Sequence, residues 1–187
     1  YCGFVHFANE GTAPASVNPA AGKPKVVMTA GGGHDAFPMM QFVLNALVDQ
    51  HKAPDFDLLV VTGPLMPLEC RNKIAVLAEE LNAQCINSTP HLQNHLSSAD
   101  AIITMGGYNT VCEILSFGKP ALIVPRTAPR QEQYLRAERA SRLGLVRMLP
   151  DDHVRAPWRM AEQLHALAEW PRPRDQQIPG LLSGLER

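Results

Sequence analysis

From Lys25 onward, short apolar runs alternate with segments of helical period. Lys25–Ala30 reads as a strand. Met39, Phe42, Val43, Ala46 and Leu47 follow at i, i+3, i+4, i+7 and i+8, which predicts a helix with one buried face. Leu58–Thr62 predicts a second strand, and Ile74, Leu77, Ala78 and Leu81 mark a second helix. Gln84–Asn87 reads as a weak third strand, Leu92–Ser98 as a short helix, and Ala101–Thr104 as a fourth strand feeding a helix that buries Val111, Ile114 and Leu115. Ala121–Val124 is a fifth strand capped by Pro125. Tyr134–Leu143 is a helix stopped by Gly144, Leu145–Leu149 a sixth strand, and Val154–Trp170 a last helix. Strands that alternate with helices of about 10–15 residues predict an α/β fold, here a Rossmann-like, doubly wound parallel sheet of about six strands. Outside this pattern, Tyr1–Phe7 is apolar and aromatic, residues 8–24 are small and punctuated by Pro and Gly, and 171–187 have no clear period. The division expected is an inter-domain segment and linker over 1–24, the sheet domain over 25–170, and a tail over 171–187.

Composition narrows the class. The 187 residues are 45% hydrophobic and 19% charged, which fits one folded domain and excludes wholesale disorder. A net charge of −1 offers no basic excess to neutralise a phosphate backbone, so nucleic acid is not an expected partner. Apolar runs such as Ile74–Ala78 and Leu58–Val61 are far shorter than a membrane span, which leaves only peripheral membrane association open. Cys2, Cys70, Cys85 and Cys112 form no C-x-x-C pair and read as reduced thiols of a cytoplasmic protein. The first residue is Tyr1, not Met, so the chain reads as part of a longer polypeptide.

In sheets of this kind ligands bind where loops leave the carboxyl ends of the strands. The first such loop is Gly31-Gly32-Gly33-His34-Asp35, between a strand and a helix. It is either a flexible turn or a place where backbone N–H groups and a helix N-terminus meet an anion. Gly31-x-Gly33-x-x-Ala36 also fits the dinucleotide fingerprint. That reading needs an acid at the end of the second strand, which instead ends Thr62-Gly63-Pro64. Asp55-Phe56-Asp57 has the D-x-D form of a metal-diphosphate site but enters the second strand rather than leaving it, so it reads as a solvated cluster on the other edge. His91 and His95 lie four apart with no third ligand evident, so no metal site is expected.

The densest signal is residues 99–125, ADAIITMGGYNTVCEILSFGKPALIVP. A buried strand runs into Gly106-Gly107, and Tyr108-Asn109-Thr110 opens a helix with Asn109 expected at the N-cap. Two helix N-termini converging on one cleft suit a diphosphate. Glu113, one turn in, is either a carboxylate for a vicinal ribose diol or a solvated acid favoured by the helix dipole.

Three pieces together resemble a known family: Gly106-Gly107-Tyr108-Asn109-Thr110-Val111-Cys112-Glu113, then Gly118-Lys119-Pro120-Ala121-Leu122-Ile123-Val124-Pro125, then Glu132-Gln133-Tyr134-Leu135-Arg136-Ala137. Their order and spacing look like the carboxyl-terminal, donor-binding domain of GT-B glycosyltransferases of the MurG type, glycosyltransferase family 28. The resemblance implies an inverting transferase that moves a hexosyl group from a UDP-sugar to an acceptor. Gly31, Gly32, Gly33, Gly106, Gly107, Asn109 and Thr110 would surround the diphosphate, and Glu113 would bind the ribose. Glu132 and Gln133 would touch the donor sugar, and Thr89, Pro90, His91 and Leu92 would lie against the base. Such enzymes resemble one another in needing no metal and no cofactor beyond the donor. Arg126 and Arg130 are candidates for stabilising the leaving diphosphate, with surface solvation as the alternative. This chain departs from the MurG type at Glu132, where Gln is usual, and at Arg136, where Asn is usual, which leaves the donor sugar open. The acceptor-binding amino-terminal domain, expected to carry the catalytic base, has no counterpart in these residues, so the chain by itself is expected to be inactive. Two alternatives remain: a stand-alone nucleotide-sugar-binding subunit that needs a partner acceptor-domain chain, and half of a sugar-nucleotide epimerase.

Overall fold

The computed structural model describes residues 22–51, 54–149 and 156–173. Tyr1–Phe7, most of the 8–24 segment, Cys2, Val154 and residues 174–187 of the tail lie outside the described residues. The element order is β1 (Lys25–Thr29), α1 (Phe37–Val48), β2 (Asp57–Val61), α2 (Leu68–Glu80), β3 (Gln84–Ile86), α3 (Leu92–Ser98), β4 (Ala101–Thr104), α4 (Tyr108–Phe117), β5 (Ala121–Ile123), α5 (Glu132–Arg142), β6 (Arg147–Met148) and α6 (Pro157–His165). All neighbouring strands are parallel, in the order β3-β2-β1-β4-β5-β6. The sheet is therefore doubly wound, as its alternating pattern predicts. The strand order reverses between β1 and β4, so the loops after those two strands flank a crevice.

Each strand feeds both faces because successive side chains point opposite ways. Val26 and Met28 join Leu58, Val60, Ala101 and Ile103 against α1, α2 and α6, through Met40, Leu44, Ile74 and Met160. Val27, Ile102, Ala121 and Ile123 pack on the other face against α3, α4 and α5, through Leu96, Val111, Ile114 and Ala137. Both faces of β4 are covered, and all four of its residues are buried.

β1, β3 and β5 each stop one residue short of the expected end and β2 is shifted one residue earlier; the larger differences are at α5, β6 and the last helix. α5 begins at Glu132, two residues before Tyr134, because an acid in the first turn is stabilised by the helix dipole even without an apolar signal. It ends as expected, with Leu143 at the C-cap and Gly144 beyond it at φ +69. Only Arg147–Met148 of the 145–149 run pair with β5. The last helix is shorter than the run 154–170 and starts at Pro157, where proline's fixed φ suits the first helical position. A separate 3-10 turn follows at Leu167–Glu169.

Candidate functional site

The turn after β1 is locked backbone against backbone. Gly33 has φ +87, and a Cβ there would meet the Thr62 carbonyl oxygen at 2.2 Å. Gly63, leaving β2, presses from the other side, with its missing Cβ only 2.6 Å from the Gly31 carbonyl. Leu65 N–H donates to the Gly32 carbonyl at 2.8 Å. These contacts account for Gly33 by packing alone. Gly31, at φ +65, faces open space instead.

The turn after β4 is held differently. Gly106 has φ +81, and an added Cβ would meet Ile123 Cγ2 at 2.7 Å. Its carbonyl accepts a 2.8 Å hydrogen bond from Arg136 Nη1 on α5. The next residue, Gly107, is the N-cap of α4 at φ −56, a conformation open to any residue, and nothing lies within 4 Å of where its Cβ would be. The fold does not require a glycine at that position. The expectation that Asn109 caps the helix is corrected: Asn109 sits second in α4, past the position from which its side chain could reach the end amides, and is exposed.

Neither α1, with Ala36 at its N-cap, nor α4 receives a side-chain cap. Both helices begin at the carboxyl edge of the sheet, on the two sides of the strand-order reversal. Their first-turn amides, less the N–H that Pro38 lacks in α1, carry partial positive charge at this edge of the sheet.

The side chains around the crevice come from four loops. Arg126, after β5, forms an ion pair with Asp35 of the first glycine turn. β1 and β5 both border β4, so this pair spans two strand spacings, roughly 10 Å, over the end of β4. Arg126 Nε is buried without a hydrogen-bond partner, and so is Gln133 Oε1 on α5. Arg130 and Glu132 form a looser pair at 3.7 Å, both well exposed. On the other flank, Glu113 Oε1 accepts from Gln93 Nε2 at 3.2 Å. Gln93 belongs to α3, whose first residue is Leu92, so the ribose and base candidates lie side by side. His91 N–H donates to Thr89 Oγ1 at 3.1 Å, which folds that segment on itself. Thr110 is buried in the first turn of α4.

Three residues enter here that sequence reasoning did not place in the site: Asp35, Arg136 and Gln93. Arg136 gave one signal. It occupies the apolar stripe of α5 that also holds Ala137 and Ala140. Its guanidinium also lies 5.5 Å from the centre of the Tyr108 ring. Behind that ring, burial pushes the Cys112 thiol above its usual range, against the downward pull of a Tyr108 side-chain hydrogen bond and the Arg136 charge.

The other edge of the sheet carries a cavity of about 480 Å³ lined by Lys25, Phe56, Asp57, Leu81 and His95, among others. It has neither glycine turns nor helix N-termini from the strand-order reversal, so we place the candidate site at the carboxyl edge. Phe56 and Asp57 line this cavity, and Asp55 and Asp57 are exposed where the chain enters β2, the solvated cluster expected on this edge. Among the described residues no three His, Cys, Asp or Glu side chains gather as metal ligands, and no helix is long and apolar enough to cross a membrane.

Known proteins share this frame. A relative in Nitrobacter hamburgensis, the UDP-N-acetylglucosamine--N-acetylmuramyl-(pentapeptide) pyrophosphoryl-undecaprenol N-acetylglucosamine transferase, is 28% identical over 156 residues, covering 82% of this chain and 41% of its own length. The crystal structure of Acinetobacter baumannii MurG superposes with a TM-score of 0.68 at 18% identity, over 89% of this chain and 49% of that one. The calicheamicin glycosyltransferase CalG4 superposes with a TM-score of 0.61 at 26% identity, over 92% and 41%. This chain thus spans less than half the length of each. The glycosyltransferase family 28 C-terminal domain model matches residues 26–177, and the chain belongs to that family.

Proposed function

We propose that this chain is the donor-binding domain of an inverting glycosyltransferase that moves a hexosyl group from a UDP-sugar to an acceptor. The acceptor and the general base belong to an amino-terminal domain or a partner chain. The observation that carries the reading is Gly107, a glycine with no steric reason to be one, placed at an uncapped helix start beside a second uncapped helix. An absent side chain there lets a diphosphate approach the first-turn amides of α4, and Gly31 does the same before α1.

The chemistry follows from charge. An acceptor oxygen attacks the anomeric carbon, the bond to the β-phosphate oxygen breaks, and UDP departs with the negative charge. Amides already aimed at that charge stabilise the transition state without reorganising. Arg126 adds a full positive charge once it turns from Asp35 to the phosphate. Glu113 takes the ribose hydroxyls, exchanging the Gln93 amide for the ligand. Gln133, whose buried Oε1 has no partner, accepts from a hydroxyl of the donor sugar. Glu132 and Arg130 stand at the rim beside it, and Thr89–Leu92 frames the base.

Calorimetric titration of the 187-residue chain tests this reading. UDP should bind more tightly than NAD, and the binding should survive EDTA. Glu113→Ala should weaken UDP and UDP-sugar by the same factor, about ten- to a hundredfold, as expected for a lost pair of charge-assisted hydrogen bonds. Gln133→Ala should weaken only the sugar-bearing ligand. NAD binding without UDP binding, or a Glu113→Ala variant with undiminished UDP affinity, overturns the assignment.

A further inference from the structure

We propose that Arg136 is a positioning residue that sets the direction of the Gly107 N–H at the start of α4, and through it the affinity for the diphosphate. The proposal rests on the donor-binding reading above and adds a residue to it. Gln133, Arg136, Ala137 and Ala140 follow at helical spacing on the face of α5 turned to the sheet. Two alanines let α5 approach closely, and both are buried. An arginine in that stripe must put its charge somewhere. Its stem runs toward the turn after β4, where Nη1 donates to the Gly106 carbonyl at 2.8 Å. The guanidinium carbon lies over the Tyr108 ring, 5.5 Å from its centre, a second contact that holds the head group in place.

The consequence lies in the next peptide bond. The peptide is trans, so the Gly107 N–H points opposite to the Gly106 carbonyl. With that carbonyl drawn to Arg136, the N–H is turned away from the guanidinium. Gly106 packs against Ile123, but nothing lies within 4 Å of where the Gly107 Cβ would be, so the Gly107 side of this peptide has few steric restraints of its own. The Gly106 N–H contact to Thr104 Oγ1, at 3.4 Å, is long. Arg136 therefore supplies the restraint that the backbone lacks. Lysine cannot substitute fully, because a single compact ammonium cannot both lie over the Tyr108 ring and hold the directed bond to the carbonyl as the forked guanidinium does.

The experiment compares Arg136→Met and Arg136→Lys with the unaltered chain, using UDP and uridine as ligands and chemical-shift titration as the readout. Arg136→Met should lose about tenfold in UDP affinity and less than twofold in uridine affinity. The loss should persist at 1 M KCl, where the screening length is about 3 Å and a distant charge no longer acts. Arg136→Lys should lie nearer to Arg136→Met than to the parent, and it carries the test if the methionine variant fails to fold. In the ligand-free proteins, the Gly107 amide resonance should differ between parent and variants. Equal losses for UDP and uridine, a lysine variant that binds UDP like the parent, a loss abolished by salt, or an unmoved Gly107 resonance each overturns the proposal. If the unaltered chain does not bind UDP, the donor-binding reading fails. The Gly107 resonance then still decides whether Arg136 orients the peptide.

Discussion

The turn after β1 and the turn after β4 both deliver a strand into an uncapped helix, and they are held in place by different kinds of contact. Gly33 and Gly63 interlock through backbone atoms alone, with Thr62 and Gly31 carbonyls where side chains would go. The second turn is tied through a side chain, Arg136 to the Gly106 carbonyl, and Gly107 is left open. A backbone lock tolerates no side chain at its centre and is indifferent to the side chains around it. A side-chain lock can be adjusted by one substitution. Gly33 and Gly63 are thus positions where a side chain breaks the fold, whereas Gly107 and Arg136 are positions where, on the donor-binding reading, it would retune the ligand.

The largest effect expected from this contrast is at Gly33. Gly33→Ala combines a left-handed backbone with a collision against a carbonyl that cannot move aside, and should cost about 2–5 kcal/mol of stability in urea unfolding. A loss under 1 kcal/mol would dissolve the contrast. Gly107→Ala should cost only about 1 kcal/mol of stability, the usual disadvantage of alanine at an N-cap, because no collision adds to it. It should reduce UDP affinity by about tenfold, or 1.4 kcal/mol, by calorimetry. The reverse ordering of these two variants, fold lost at 107 and ligand lost at 33, would show the turns to be exchanged in role.

A smaller effect is expected at Asp35. In the free chain its carboxylate occupies Arg126 and places a negative charge beside the crevice. Asp35→Asn should tighten UDP about two- to fivefold at low salt, the scale of one like charge removed near the protein surface. Weaker binding would mean that Asp35 orients Arg126 toward the ligand instead of competing with it.

The smallest effect sharpens the second turn. Burial raises the Cys112 thiol, so the folded chain keeps that proton to higher pH than the unfolded chain does. The stability this contributes is complete below the ordinary thiol range and is lost as pH climbs through the raised folded value. Cys112→Ala should therefore flatten the fall in urea midpoint above about pH 8.5 relative to the parent. An unchanged slope would place the effect elsewhere, for instance at Cys85, which burial also raises.

The sheet was legible because its strands are apolar and its punctuation is strong. Ala101–Thr104 and Leu92–Ser98 form at the residues the pattern marks, bounded by Ala99-Asp100 and Gly106-Gly107. Legibility failed where tertiary pairing sets the boundary. β6 is two residues long because it pairs only with the three-residue β5 on one side. The site was legible as loops and glycines, since those follow from strand order. It was not legible as contacts. Asp35 meets Arg126 only because β1 and β5 flank β4, and nothing local in either segment marks the other. Sequence also could not separate Gly33 from Gly107. One is demanded by Thr62, which lies next to it only in the folded chain, and the other by nothing in the fold.

The two rims of the sheet have a practical consequence for colloidal behaviour. An outermost strand is a template on which another molecule can add its own backbone, and long, flat, apolar rims drive sheet-to-sheet aggregation. Here β3 presents three residues and β6 two. β3 opens with the exposed Gln84, and Arg147 on β6 is held by Gln163 of α6, whose Oε1 accepts from Arg147 Nε at 2.6 Å. With so little unpaired backbone to extend, this sheet is a poor seed for intermolecular strand addition.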